Sequence, residues 1–364
     1  MIKRKWILFI VLLCVSIGLL SACGGGETTS GSNDLNDNGG QEPSSNDEEN
    51  NQESGEGMVL NLGHVVAEDT AIDQGARHFA ELVNNKTNGE IQIEVYANAS
   101  LGDNREILES LQNGTLDLAT PSLAPLSAFT DKTLLFDLPY LFKNRENAEY
   151  VLDGEIGQSV LADLEQSGFL GLSWLTQSWR HLTVSADEPI TDPTDLKGLK
   201  IRTMDNPLHV AHFEQLGASA TPIAFSELFT SLQQGVIDGQ ENPYPNIDLS
   251  GFYEVQDYII ETAHIYDPIP LLVSKITWDK LSPEQQDIFK EAASETSAWQ
   301  RDLAAQQDEE IKERLLEDGS VEIIELTEEE RNKFFEAAYP VYEEWGDKIG
   351  SDLIEEVLKI KEDF

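Results

Sequence analysis

Short strand patterns alternate with helical patterns along most of the sequence after Met58. Residues 58–65 (MVLNLGHV) and 91–96 (IQIEVY) have the apolar content and alternation of half-buried strands. Residues 73–84, between those strands, repeat apolar side chains at helical spacing, and residues 105–112 form a second helical pattern. Alternation of this kind predicts an α/β fold, in which helices cover a sheet.

The same alternation continues towards the C-terminus. Further strand patterns occupy residues 116–119, 169–174, 183–184, 199–203 and 236–239. A long helix is predicted after the N-cap Ser282, because Pro283 suits the first turn and the helical pattern persists to about Leu316. The part after Met58 has about 300 residues, more than one core usually contains, so we expect two domains bridged by this helix.

The N-terminal residues predict a secretory signal covering residues 1–22. Three basic side chains precede an apolar run at residues 6–20, which is shorter than the roughly 20 residues of a membrane-spanning helix. The sequence Leu20-Ser21-Ala22-Cys23 resembles a bacterial lipobox. That resemblance implies that Cys23 becomes the lipidated, palmitate-bearing first residue of the mature protein. The alternative is an ordinary secretory signal with an incidental cysteine.

The residues after Cys23 predict a disordered acidic linker. Residues 24–57 contain a single leucine and no lysine or arginine, so they cannot bury a core. A flexible tether of this length reaches about 30 Å. Residues 23–57 would therefore let an anchored domain approach a partner in the membrane.

Charge excludes some classes of partner. The chain has 67 acidic and 24 basic residues, a formal net charge of −43. This balance excludes nucleic-acid binding and argues against adhesion to anionic lipid. An anionic ligand would be repelled by the protein as a whole, so its site would need desolvated arginines.

One stretch combines an arginine and an asparagine in a motif typical of binding. Residues 197–207 read KGLKIRTMDNP and residues 236–243 read VIDGQENP. Arg202 offers a rigid fork of donors that suits a planar carboxylate, and Asn242 offers both a donor and an acceptor. With the intervening LGASATPIAFSELFTSLQQG, this stretch resembles the solute-binding proteins of tripartite ATP-independent (TRAP) transporters, of the C4-dicarboxylate-binding type.

The resemblance extends from about Met58 to the C-terminus and implies a fold. It implies a two-domain clamshell like that of periplasmic binding proteins, with mixed sheets and a long helix spanning both domains. On this basis the first α/β domain would comprise residues 58–177 and 268–307. The second would comprise residues 178–267 and 308–364.

The resemblance also implies which residues bind the ligand. Arg202 and Asn242 would hold its carboxylate, Arg180 would be a second arginine near it, and Phe225 would pack on it. The ordinary alternatives are a surface ion pair for an arginine at a strand end, a turn at Asn242 and a core position for Phe225. Further cleft positions are predicted at His64, Asn104, Ser122, Gln177, Met204 and Gln240.

Two other groups of residues allow different chemistry. His209 and His212 have the spacing of metal ligands on a helix, with Glu214 nearby, but the sequence fixes no third strong ligand. Glu227 and Asp238 could be the paired carboxylates of a glycosidase, although their separation cannot be read from sequence. We therefore expect no metal, no cofactor and no enzymatic activity.

The function implied is that of an extracytoplasmic receptor. It would be a monomer, lipid-anchored at the outer face of the cell membrane. It would bind an organic-acid anion and deliver it to the TRAP permease, and an ion gradient would drive transport. A lipid-anchored secreted hydrolase and a receptor that feeds a sensor kinase are the alternatives. The ligand stays open: a C4-dicarboxylate would use both arginines, whereas a uronate or aldonate would use one. Serine at position 122 favours an acid smaller than sialic acid.

Overall fold

The computed structural model describes residues 57–364. The predicted signal, Cys23 and nearly all of the predicted linker lie outside the described residues. Within residues 57–364, no helix is both long enough and apolar enough to cross a membrane.

The strands of the described part form one mixed sheet of nine strands. They run in the order β2-β1-β3-β8-β4-β7-β5-β6, and β9 pairs with β8. In chain order the strands are β1 (Met58–Gly63), β2 (Ile91–Tyr96), β3 (Leu118–Ala119), β4 (Phe169–Val184), β5 (Lys200–Thr203), β6 (Ser219–Pro222), β7 (Gly239–Asn242), β8 (Tyr258–Ser274) and β9 (Glu322–Ile324). The predicted α/β class with mixed pairing is confirmed.

Helices cover this sheet. They are α1 (Ala71–Lys86), α2 (Asn104–Asn113), α3 (Arg145–Asp153), α4 (Glu155–Asp163), α5 (Pro207–Gln215), α6 (Phe225–Gln233), α7 (Tyr244–Leu249), α8 (Lys275–Trp278), α9 (Pro283–Asp318), α10 (Glu328–Ala338), α11 (Pro340–Ile349) and α12 (Ser351–Glu362). Short 3₁₀ turns lie at Ala124–Ala128, Asp131–Asp137, Leu164–Ser167, Pro193–Leu196 and Phe252–Val255.

The two longest strands, β4 and β8, run antiparallel through the middle of the sheet. At one end of this pair, β8 lies beside β3. We call β1, β2 and β3, together with that end of β4 and β8, the first half-sheet. At the other end β4 pairs with β7, which with β5 and β6 forms the second half-sheet. The β4–β8 register shifts between the two ends, where Ser178 and Ala263 have φ angles of 70° and 43°. Residues other than glycine rarely adopt such backbone angles, so the junction between the half-sheets is strained.

Two features of these strands differ from the sequence prediction. The prediction of separate strands at 169–174 and 183–184 was wrong, because the intervening residues also pair with β8 and make β4 continuous. The sequence patterns also did not predict β8. Asp267, Pro268 and Pro270 interrupt its apolar run. Prolines are rare inside sheets, so they hide a strand from sequence patterns.

The seventh strand begins later than predicted. Residues 236–238 are not part of it, and β7 starts at Gly239 and ends at Asn242. Val236 is exposed, and the Asp238 carboxylate accepts a hydrogen bond from the Lys200 backbone N–H at 2.8 Å. Asn242 therefore lies in a strand rather than in a turn, and Pro243 follows as the N-cap of α7.

The long helix α9 ties the sheet together. It begins with a capping box made by Ser282 and Gln285, as its sequence signals predict, and extends to Asp318. Halfway along, the buried Gln300 side chain donates to the Thr176 carbonyl at 2.7 Å and accepts from the Thr176 N–H at 3.0 Å. These bonds fix the helix to β4 next to the junction of the half-sheets.

The C-terminal helices pack beside the first half-sheet as well as the second. Tyr342 and Val357 belong to the same apolar core as Phe136 and Trp174. The Tyr342 hydroxyl also donates to the Pro139 carbonyl at 2.8 Å. The domain ranges implied by the resemblance stay a prediction. They place residues 308–364 in the second domain, although α11 and α12 share an apolar core with residues of the first.

Candidate functional site

A cavity of about 360 Å³ lies between the two halves of the sheet. From the first half it is lined by the N-terminal turn of α2 and by Pro125, and from the second by the ends of β5 and β6 and the residues that follow them. Its lining residues are Asp103, Asn104, Arg105, Glu106, Pro125, Arg202, Met204, Asp205, Pro222, Ile223, Ala224 and Phe225. We call it the Arg202 cavity. Its volume is within the range of sites for small organic molecules.

Arg202 is the buried cation of this cavity. Strand β5 carries it, and parallel pairing with β6 and β7 sets its position in the sheet. Only 2% of its surface is exposed, and its Nε donates to the Ile223 carbonyl at 2.8 Å. Its Nη1 has no hydrogen-bond partner among residues 57–364. Burial lowers the pKa of Arg202 to about 10, with the charge of Glu241 opposing this effect.

An unpaired buried guanidinium is costly unless something outside the chain pairs with it. Burying a charge without a partner disfavours the charged form, and at neutral pH arginine keeps its charge. A carboxylate entering the cavity would supply both the countercharge and the acceptors that the free Nη1 lacks. The geometry therefore suits recognition of an anion.

Three more of the predicted residues line the same cavity. Phe225 and Met204 provide apolar surface, and Phe225 packs edge-on against Phe252 with ring centres 5.7 Å apart. Asn104 is held by Ser122, whose backbone N–H donates to Asn104 Oδ1 at 2.9 Å. Ser122 thus lies behind the cavity wall and positions one of its polar groups.

Asp103 connects the two sides of the cavity. Its Oδ1 accepts from the Asn104 N–H at 2.7 Å and caps α2, while its Oδ2 accepts from the Ser226 N–H at 3.0 Å. Ser226 lies in the first turn of α6, whose own N-cap residue, Ala224, makes no side-chain cap. One carboxylate therefore caps two helices on opposite sides of the cavity, where the partial positive charges of their N-termini stabilise it.

Arg180 is placed differently from Arg202. Its Nε and Nη2 donate to the Glu241 carboxylate, and its Nη1 donates to Asp267 at 2.5 Å. Its Nη2 also contacts the Glu241 carbonyl at 2.7 Å and Asn242 Oδ1 at 3.3 Å. Burial opposes ionisation of Glu241, but the charge of Arg180 and the hydrogen bond from His264 lower the pKa of Glu241 below its usual range. Every nitrogen of this guanidinium thus already donates to the protein.

Asn242 belongs to a buried amide network beside this cluster. Its Nδ2 donates to Gln240 Oε1, and its Oδ1 accepts from Asn246 Nδ2 at 3.1 Å. Asn246 Nδ2 also donates to Gln177 Oε1 at 2.7 Å. The predicted residues Asn242, Gln240 and Gln177 are therefore brought together, but in a network adjoining the Arg180 cluster and not in the lining of the Arg202 cavity.

His64 also lies away from the lining. It is fully buried after β1, and its Nε2 lies 3.2 Å from Asp73 Oδ1, which also pairs with Arg77 at 2.9 Å. Burial opposes ionisation of Asp73, but its bonds to His64 and Arg77 lower its pKa to about 2. This arrangement fixes the first turn of α1 to the end of β1.

The histidines and the acidic residues of the alternative chemistries have other contacts in the described part. His209 Nε2 lies 3.0 Å from Asp137 Oδ1. The His212 ring stacks on the His264 ring, with the ring centres 5.6 Å apart. No group of three or more histidine, cysteine or acidic side chains within residues 57–364 is arranged to hold a metal ion. Asp238 accepts from a backbone N–H at the start of β5.

Sequence reasoning did not single out several residues of the site. Asp103, Ile223 and Asp205 line the cavity, and Glu241 and Asp267 engage Arg180. A signal for Asp103 did exist, because it precedes a helix as an N-cap. Its second role, capping α6, depends on a contact with a residue 123 positions later in the chain.

Comparison with known proteins places the chain among extracellular binding proteins. Residues 62–348 match the model of the bacterial extracellular solute-binding proteins of family 7, also called DctP. The C4-dicarboxylate-binding periplasmic protein DctP of Rhodobacter capsulatus is 35% identical over 300 residues, which cover 82% of this chain and 90% of that protein.

Two solved structures show the same fold with different ligands. A TRAP periplasmic solute-binding protein from Shewanella oneidensis, with bound succinate, has a TM-score of 0.81 at 32% identity. The match covers 84% of this chain and 99% of the chain of the Shewanella protein. The sugar acid binding protein of Advenella mimigardefordensis, in complex with galactonate, also has a TM-score of 0.81, at 34% identity, with 84% and 98% of the two chains covered.

Proposed function

Because this chain belongs to family 7 of the bacterial extracellular solute-binding proteins, we propose that it captures an organic-acid anion for a TRAP permease. The observation that carries this proposal is Arg202, which is buried, lines a cavity of suitable size and keeps one nitrogen without a partner in the described part. Relatives in the same fold hold succinate or galactonate, both of which present a carboxylate. Binding and release of the anion, without chemical change, is the proposed activity.

The proposed binding mode is a carboxylate clamp. The ligand carboxylate pairs with Arg202, Phe225 and Met204 pack on its carbon skeleton, and Asn104 donates or accepts at its far end. Arg202 is buried, so charge-assisted bonds to it are stronger than in bulk solvent. Four further predicted residues support the clamp indirectly, because their hydrogen bonds hold the second half-sheet in place behind it. They are Asn242, Gln240, Gln177 and Arg180.

The proposed domain motion follows from the strand junction. The half-sheets correspond to two domains that meet near residues 177–178 and 267–268, where the β4–β8 register shifts. Opening about this junction separates Asp103 from the N-terminus of α6 and exposes Arg202. A ligand that contacts both sides favours the closed state by as much as it prefers that state.

The proposed location is the outer face of the cell membrane. Cys23 is the lipid attachment site in this proposal, and the acidic residues 24–57 connect it to the binding domains. The lipidated form would keep the receptor near the permease to which it delivers its ligand.

The test of the clamp is a pair of arginine variants. Arg202→Ala removes the buried cation, while the control Arg105→Ala removes an arginine that lines the same cavity but is 73% exposed. Losing a charged partner inside an interface typically costs about 2–5 kcal/mol of binding free energy, whereas an exposed charge contributes about 0–1 kcal/mol.

A thermal-shift screen of organic acids on the purified protein selects the ligand, and calorimetry then measures its affinity for both variants. We expect at least about a thirtyfold loss for Arg202→Ala and little change for Arg105→Ala. The melting temperature of unliganded Arg202→Ala should stay the same or rise, because an unpaired buried charge is removed. Equal affinities for the wild type and Arg202→Ala would contradict the clamp.

A further inference from the structure

The charged groups around the Arg202 cavity distinguish between a ligand with one carboxylate and a ligand with two. A dicarboxylate needs a cation or several donors at each end, since an unpaired second carboxylate would be desolvated at a cost of several kcal/mol. The described part contains two fully buried arginines near the cavity, Arg202 and Arg180. Which of them has free donors therefore decides the number of carboxylates.

Only one of these arginines has a free nitrogen. Arg180 donates from all three of its nitrogens to Glu241 and Asp267, with both carboxylates buried. Releasing Arg180 to a ligand would leave those two acidic groups buried without their cation, a change that costs about 3–5 kcal/mol in buried ion pairs. Arg180 is thus committed to the protein, and Arg202 remains.

The remaining charges of the cavity lining are mostly acidic. Asp103, Glu106 and Asp205 are carboxylates, and the second lining cation, Arg105, is exposed and lies 3.1 Å from Glu109. Arg105 also lies 4.0 Å from Asp205. An exposed arginine that already has acidic neighbours offers a second carboxylate little stabilisation.

Asp103 is the lining carboxylate that two backbone N–H groups hold in place. The bonds from Asn104 and Ser226 hold its carboxylate in place across the cavity, so it cannot swing away without uncapping two helices. Like charges brought into contact at a binding interface repel by several kcal/mol. Neutral hydroxyl groups, in contrast, can donate to carboxylate oxygens, and the apolar lining accepts carbon chains.

We propose that the ligand is a monocarboxylate whose remainder is neutral, and that Asp103 excludes dicarboxylates. This inference rests on the proposed function, because it assigns the ligand class of the same cavity. It decides between the two classes that the sequence leaves open, in favour of an acid that uses one clamp.

The test uses pairs of acids that differ only in one end group. Galactonate and galactarate, erythronate and meso-tartrate, and butanoate and succinate each replace a neutral terminus by a second carboxylate. Calorimetry on residues 23–364, the predicted mature chain, measures each dissociation constant at neutral pH. In every pair that binds, we expect the monocarboxylate to bind at least about tenfold more tightly, a difference of about 1.4 kcal/mol.

The variant Asp103→Asn tests the residue assigned to exclusion. It removes the charge with little change of shape, so the ratio of dicarboxylate to monocarboxylate affinity within a pair should rise at least about fivefold. Taking the ratio cancels any general loss from weaker capping of α6. Asp287→Asn, at a side chain that is 81% exposed and does not line the cavity, serves as the control and should leave the ratio unchanged. An unchanged ratio for Asp103→Asn would overturn the role of Asp103.

The outcomes separate this inference from the proposed function. Tighter binding of a dicarboxylate that depends on Arg202 would overturn the monocarboxylate inference and leave the receptor function intact. Failure of all six acids, and of the wider screen, to bind would overturn both. Monocarboxylate binding that is lost in Arg202→Ala supports both.

Discussion

The central residue of this protein is a buried arginine that makes no ion pair within residues 57–364. Arg202 has one bond, to the Ile223 carbonyl, and a free Nη1, whereas Arg180, equally buried, has two carboxylate partners. The family resemblance implies a similar role for both arginines, as groups close to the ligand. The difference lies in their neighbours, and on it we base the proposal that Arg202 binds the ligand while Arg180 stabilises the fold.

The pH dependence of binding follows from the pKa of Arg202. Burial lowers this pKa to about 10 in the unliganded protein, and a bound carboxylate raises it again because it favours the charged form. Affinity should therefore be constant between about pH 7 and 9 and fall as the pH rises above about 10. Calorimetry across this range, with circular dichroism to confirm that the protein stays folded, measures the effect. Undiminished affinity at pH 11 would argue against Arg202 as the partner.

At the scale of elements, several parts of the site could be predicted from sequence and others could not. The motif around Arg202 and the helix from Ser282 depend on neighbouring residues, so local patterns suffice. The engagement of Arg180 depends on Glu241 and Asp267, which are 61 and 87 positions away. Contacts at such separations arise from the order of the strands, and no local pattern contains that order.

The start of β7 shows how backbone packing positions the site. Gly239 lies so close to β4 that a β-carbon there would be 2.3 Å from the Thr183 carbonyl oxygen and 2.8 Å from Val184 Cγ1. Only glycine allows this approach, which brings Gln240, Glu241 and Asn242 into line with β4. The glycine thereby aligns the carboxylate that engages Arg180.

We expect Gly239→Ala to destabilise the protein by about 2–3 kcal/mol, because β4 and β7 would have to separate. The control is Gly346→Ala in α11, where the nearest heavy atom to the new carbon, Ser351 Oγ, would be 3.3 Å away. Alanine favours a helix by about 1 kcal/mol over glycine, so this control should be neutral or stabilising. Urea unfolding measures both variants, and equal midpoints for Gly239→Ala and the wild type would refute the packing argument.

At the scale of the whole molecule, two halves share one sheet, and the cavity between them contains a buried cation although the protein is strongly acidic. The sequence predicts two domains from length alone, but the way in which β4 and β8 carry one sheet through both halves becomes visible only in the structure. The net charge of −43 repels anions at long range, and solvent ions screen this repulsion beyond about 10 Å. Within the cavity, the unpaired cation is close enough to dominate.

The most direct test of the carboxylate clamp is a crystal structure of the protein with the tightest-binding acid from the screen. The proposal predicts one carboxylate within about 3.2 Å of Arg202 Nη1, with Arg180 still bound to Glu241 and Asp267. A ligand bound elsewhere, or a carboxylate paired with Arg180 while Arg202 Nη1 stays unpaired, would contradict it.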